Sequence, residues 1–249
     1  MTAESILAIL AALLIGTVTK AITGFGLPLV AIPVMAAFID VETAIVVMAV
    51  PSTYSNVVLL REFRGAPRIR GLWPGIVLGL IGVTLGTWLL SALPPSLLAL
   101  SLAAWIGLYL LSRVARFELP EEIRERRGFL MGAAGVGGIF QGATGIAGPV
   151  IVTALDAMQV ERRPRLFALA AIFGAFGLAH LVMLAMFGLY DGERLILSAI
   201  ALVPVALGMP VGLWLGQRMS AQTFNRCVLA VLSVTGSKLA YDGIRSLGS

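Results

Sequence analysis

Two short segments of this 249-residue chain carry the residue types needed to hold an anion: Thr23-Gly24-Phe25-Gly26-Leu27-Pro28 and Thr144-Gly145-Ile146-Ala147-Gly148-Pro149. Proline is tolerated in the first turn of a helix, where its missing N–H would have had no partner anyway, so Pro28 and Pro149 mark places where a helix begins. A helix start presents unpaired backbone N–H groups and roughly half a positive charge, which an anion satisfies. Gly24, Gly26, Gly145 and Gly148 remove side chains so that a ligand can approach the main chain. The hydroxyls of Thr23 and Thr144 can cap the helix or bond the ligand. With Phe25 and Ile146 between them, these residues form the candidate binding set. A second reading of the glycines is close helix packing with no ligand.

Other polar residues join this set with less force. Lys20 precedes the first segment and has no acidic residue near it in sequence, so a bound anion is a candidate counter-charge. Its alternative is to snorkel to a surface. Gln141 holds the matching place before the second segment. Asn56 shares a helix face with Ser52 and Ser55, which suits a lined cavity and equally suits hydrogen bonds between helices. His180, the only histidine, lies inside an apolar run, where it can bind an anion, carry a proton or pack. A single cysteine, Cys227, excludes an internal disulfide and a cysteine metal cage, and no cofactor is expected. The chain has no Walker-type phosphate loop, and one histidine and one cysteine argue against an enzyme embedded in the membrane. Asp156 is the one plausible acid at depth and stands near an end, so these residues leave the coupling ion open.

The elements that position these groups follow from composition. With 59% hydrophobic residues, 12% charged residues and a mean hydropathy of +0.97, the chain reads as an integral membrane protein. Runs such as Ala44 to Leu60, Leu72 to Leu93 and Leu166 to Leu189 are apolar on every face, which excludes a barrel and predicts an all-α fold. The opening residues carry Glu4 and no early Lys or Arg, so they are read as a retained segment rather than a secretory signal. The formal charge of +5 comes from arginines gathered in short loops, a topology signal rather than a nucleic-acid footprint.

Arg61 to Arg70, Arg113 to Arg127, Arg162 to Arg165 and Arg218 mark cytoplasmic loops, whereas Asp40 to Glu42, Ser91 to Ser96 and Asp191 to Arg194 lie outside. Because the loops before residue 128 and after residue 158 are both inside, 128–158 is predicted to be a hairpin. Its two arms, of about 14 residues or roughly 21 Å each, are too short to span comfortably. The predicted first repeat is 1–115, with a hairpin at 3–39 and spans at 43–60, 72–93 and 97–113. A cytoplasmic linker covers 116–127. The second repeat, 128–249, has spans at 165–189, 195–217 and 221–243. Three crossings after each hairpin insert the second repeat upside down and put both termini outside. An offset of 121 pairs the two tips, Gly16 with Gly137 and Lys20 with Gln141. Gly82-x3-Gly86-x-Trp88 recurs as Gly208-x3-Gly212-x-Trp214. Inverted repeats with broken helices at the midplane are the architecture of secondary transporters.

The early "ITGFGLPLVAIP", its counterpart "GATGIAGPVIV" and the paired Gly-x3-Gly motifs resemble those of the TauE/SafE family over nearly the whole chain. The resemblance implies export of sulfite or an organosulfonate such as sulfoacetate across a bacterial inner membrane. It points to the same residues, Thr23 to Pro28 and Thr144 to Pro149. The second tip departs from the first at Ile146 and Ala147, so the two cannot offer identical contacts. Expected partners are a small anion and the lipid bilayer; a homodimer stays open. Carriage of another oxyanion or carboxylate, and a non-transporting assembly subunit, are the alternatives.

Overall fold

The computed structural model describes residues 3–115 and 128–216, all of whose regular structure is helical. In chain order the helices are α1 (Ala3–Thr23), α2 (Leu27–Ala36), α3 (Val41–Glu62), α4 (Leu72–Ala92), α5 (Pro95–Ala115), α6 (Phe129–Thr144), α7 (Gly148–Ala157), α8 (Arg162–Met186) and α9 (Gly192–Gly216). By length and composition five of them, α1, α3, α4, α8 and α9, can cross a membrane. The expected linker at 116–127 and the expected last span at 221–243 lie outside the described residues.

The arms of the 128–158 hairpin differ from the equal lengths expected. The 128–158 segment divides into 16 residues of α6 and 10 of α7, and the amino-terminal one into 21 of α1 and 10 of α2. The run from Ile6 to Thr23 contains no proline, and its one glycine, Gly16, packs closely on Leu27, so α1 continues to span length. The returning arm α2 is short because the chain turns after Ala36 and starts again at Asp40, whose carboxylate accepts the Thr43 N–H at 2.8 Å.

Glycine decides how these helices pair. Along α4, Gly79, Gly82 and Gly86 face α6, and a methyl group on Gly82 would fall 2.3 Å from the Gly135 carbonyl oxygen. From the α6 side, a methyl on Gly138 would fall 2.1 Å from the Gly79 carbonyl oxygen and one on Gly142 would fall 2.3 Å from that of Val83. The two backbones therefore touch, and the register runs parallel, residues 75–86 beside 130–143. The same arrangement joins α9 to α1: Gly208 lies on Thr17, Gly212 on Ala21 and Gly216 on Ile22. The opposite faces of α4 and α9 expose Val77, Ile81 and Trp88, and Ile200, Leu207 and Trp214, as lipid-facing surfaces require.

Between these pairs, α3 and α8 cross antiparallel, with Gly177 against Thr53 and Gly174 against Asn56. Charged residues gather at the helix ends. At one end Arg194 pairs with Glu42 at 2.7 Å and donates to Thr43 at 3.2 Å and to the Leu189 carbonyl at 2.8 Å. Beside it Tyr190, in the turn between α8 and α9, donates its hydroxyl to the Val46 carbonyl at 3.0 Å. At the other end Arg162 donates to the Gly216 carbonyl at 2.8 Å, and Arg165 pairs with Asp156.

Two predictions follow from this packing. A methyl at Gly86 would stand 2.0 Å from the Ile139 carbonyl oxygen, whereas one at Gly107 meets nothing within 4 Å. Gly86→Ala should destabilise the protein by about 1–3 kcal/mol through overpacking, and Gly107→Ala should not, as thermal unfolding in detergent will report. Burial pushes the Tyr190 phenol up to about 12, from an ordinary value of 10.0. The folded state thus keeps a proton that the unfolded chain releases first, so this contribution is complete below pH 10 and declines towards pH 12. Tyr190→Phe should flatten that part of the stability profile.

Candidate functional site

Both breaks are built by the same local bonds. At the first, the Gly24 N–H closes α1 on the Lys20 carbonyl at 2.7 Å, and Gly24 takes φ +86, a left-handed conformation open to glycine. At the second, the Gly145 N–H bonds the Gln141 carbonyl at 2.9 Å and Gly145 takes φ +72. The threonine hydroxyls are used locally. The Thr23 hydroxyl lies 2.8 and 2.7 Å from the Thr19 and Phe25 carbonyl oxygens, which share its one proton, and accepts the Phe25 N–H at 3.4 Å. Thr144 donates to the Phe140 carbonyl at 2.8 Å and accepts the Ile146 N–H at 3.3 Å. Both hydroxyls thus bond back to the preceding helix and to the turn, and neither caps the helix that follows.

Three amides at each tip are left over. The Val30 N–H reaches the Gly26 carbonyl at 3.0 Å and the Ile151 N–H reaches that of Ala147 at 3.4 Å, but Gly26, Leu27 and Leu29, and likewise Ala147, Gly148 and Val150, find no main-chain acceptor among the described residues. The two sets stand at the same offset of 121 as the tips themselves. They are the orphan donors of a helix start, with proline at the one position where no N–H exists to be satisfied.

The tips meet. Phe25 packs on Gly148, where a methyl group would stand 3.1 Å from its ring, and a single cavity is lined by residues of both breaks: Gly26, Pro28 and Leu29 with Gly145, Ala147 and Gly148. Its free volume is about 20 Å³, room for one water-sized guest. Lys20 lines it, buried to 1% exposure, with its ammonium 6.0 Å from the centre of the Phe173 ring. Among the described residues no carboxylate pairs with that ammonium. Gln141, Ser52 and Phe173 complete the wall.

A model of the sulfite exporter TauE/SafE family matches residues 8–239. The chain belongs to that family. It is therefore a multi-pass membrane protein of a transporter family. No protein of curated function and no solved structure matches it.

Within this TauE/SafE chain the structure gathers only part of the expected set around the cavity. Lys20, Phe25, Gly26, Gln141, Gly145, Ile146 and Gly148 line it. Thr23, Gly24 and Thr144 support the tips from behind, Gly24 against Leu166 and Leu169 of α8. Asn56 and His180 stand apart from the cavity. Asn56 is buried between α3 and α8 with its side-chain oxygen unpartnered, and His180 lies by the Gly142 carbonyl with neither ring nitrogen in a hydrogen bond.

Two wall residues were reachable from the sequence. Ser52 and Phe173 are related by the offset of 121, and either would have led to the other. Trp105 of α5 had no such signal. Its indole donates to the Ile146 carbonyl at 3.0 Å and stacks on Phe140 with ring centres 3.7 Å apart, holding the second tip from a helix 41 residues away. Trp105→Phe keeps the stacked ring and removes the donor. It should cost roughly 1 kcal/mol, read as a lowered unfolding midpoint in detergent, while Trp88→Phe on the exposed face of α4 leaves the midpoint unchanged.

Proposed function

We propose that this TauE/SafE chain is a secondary transporter that exports a small anion, sulfite or an organosulfonate, held where the starts of α2 and α7 meet. One observation carries the reading: two helix starts with unpaired amides converge with a buried, uncompensated lysine on one cavity. Each of these groups favours negative charge, and no acidic residue lines the cavity to supply it. The apolar remainder of the wall, Phe25, Ile146 and Phe173, suits the organic part of a sulfonate.

The contacts also favour two inverted repeats. Exchanging α1 with α6, α2 with α7, α3 with α8 and α4 with α9 maps the principal contacts onto themselves: α1 on α9 becomes α6 on α4, and α3 on α9 becomes α8 on α4. The antiparallel crossing of α3 and α8 has the sense that inversion requires. The end carrying Glu42 and Arg194 is then the outer, periplasmic one, and the arginine-rich end the cytoplasmic one, by the positive-inside bias. The cavity is too small for sulfite as it stands, so it belongs to a closed state, and loading needs the tips to separate towards one face. Alternating access within this inverted-repeat arrangement supplies that motion.

Reconstituted in liposomes, the protein should carry labelled sulfite, and methanesulfonate should compete. A folded protein giving no flux of either anion under any imposed gradient would sink the reading in favour of a non-transporting subunit.

A further inference from the structure

The family and the cavity say nothing of what moves with the anion, yet the surroundings of Lys20 bear on it. Its side chain is 1% exposed and lines the cavity. The groups that face it from the helices packed around it are Phe25 and Gly26 at the first tip, Ser52 of α3, Gln141 of α6, Gly148 of α7 and Phe173 of α8. None of these is titratable or negatively charged. Asp156 is committed to Arg165 at the helix ends, and Glu42 to Arg194 at the opposite end. His180, a second buried titratable side chain among the described residues, stands outside the wall beside Gly142.

The unpaired amides of the two helix starts direct further positive potential towards the same place. An ammonium there is balanced while an anion is bound. Without the anion it is a buried charge facing dipoles of its own sign and a ring 6.0 Å away, which low-dielectric surroundings penalise heavily. A lysine in that position has a way out that an arginine lacks: it can give up its proton.

Building on the anion-transport reading, we infer that Lys20 makes transport proton-coupled, one proton moving with each anion. The neutral amine takes a proton from water at the face where the anion enters, forming the ammonium that pairs with it. At the other face the anion leaves and the ammonium returns its proton to water. Only an N–H bond forms and breaks, and a monoanion crosses without net charge. The second repeat places Gln141 at the equivalent position, so one titrating group serves both tips.

The test uses the full chain in liposomes with a pH indicator inside and an inward gradient of methanesulfonate, a monoanion whose charge does not change with pH. Wild type should acidify the lumen as the anion enters, one proton per anion, at a rate indifferent to a potassium–valinomycin potential; alkalinisation would overturn the proposed co-movement. Lys20→Gln, which borrows the residue natural to the second repeat, should lose the proton signal, and its residual flux should follow the potential. Lys20→Arg should lose the signal too. Anion flux in wild type that follows the potential without proton movement overturns the coupling and leaves the anion site standing; a proton signal that survives in folded Lys20→Gln overturns the assignment to Lys20. No flux of methanesulfonate or sulfite ends both readings. The wild-type measurement decides even if the variants fail to fold.

Discussion

A backbone amide buried in lipid-depth protein needs an acceptor, and the structure leaves several of them without one in a single place. Everything around the cavity follows from that constraint. An uninterrupted helix would satisfy its own N–H groups; ending α1 at Thr23 and starting α2 at Leu27 releases those of the first turn. The chain recovers what it can locally. Gly24 and Gly145 turn left-handed to close the preceding helix, and Thr23 and Thr144 each satisfy one further amide. Proline removes one more donor at each start. Of the residues whose amides remain unpaired, Gly26 and Leu29 of one tip and Ala147 and Gly148 of the other line the shared cavity.

Bringing two such ends together is itself unfavourable, since like potentials repel, and the fold compels it through glycine. Close backbone contact of α4 with α6 and of α9 with α1 leaves neither hairpin free to drift, because any added atom at Gly82, Gly86, Gly138 or Gly212 would collide. The glycines of α4, α6 and α9 pack helices, and those at the tips pack closely too, Gly24 on Leu166 and Leu169 and Gly145 on Ile32. The tips are not copies. Gly26 takes φ +120, which side chains rarely adopt, whereas Ala147 at the equivalent position sits at φ −97. The replacement of glycine by alanine in the second tip reflects a relaxed conformation there, and Trp105 steadies that tip by a bond to Ile146.

How much of this was legible follows from the range of each interaction. Apolar runs and Gly/Pro punctuation act over a few residues, so the helices, the two breaks and the place of Lys20 could be read directly. Within α1, Thr17 and Thr19 bond their hydroxyls back to the Leu13 and Ile15 carbonyls, so these polar groups are carried inside an apolar helix. Thr23 and Thr144 carry the right chemistry for a ligand, and only geometry shows that their hydroxyls are occupied. Asn56 and His180 sit in helices that touch the cavity wall elsewhere; a one-dimensional reading places a residue in a span without saying which way it faces. Trp105 acts across 41 residues and has no local pattern.

For the transport proposed above, the same contacts constrain how the cavity would open. The glycine contacts of α1 with α9 and of α4 with α6 each join one half of the sequence to the other. A motion that parted the two halves of the chain would tear both of them, exposing backbone surfaces that pack to interior density. By contrast, the charged tie between Glu42 and Arg194 is partly exposed, and pairs of that kind hold about 0–1 kcal/mol. The cheaper movement keeps α1 with α9 and α4 with α6 as units and lets them rock about the α3–α8 crossing, where Thr53 and Asn56 meet Gly177 and Gly174 across small side chains. Each unit carries one hairpin, α1 leading into α2 and α6 into α7, so rocking moves one tip against the other. On the proposed transport reading, the helix starts that would hold the anion are the same elements whose separation would release it, so binding and gating would draw on one set of unpaired amides.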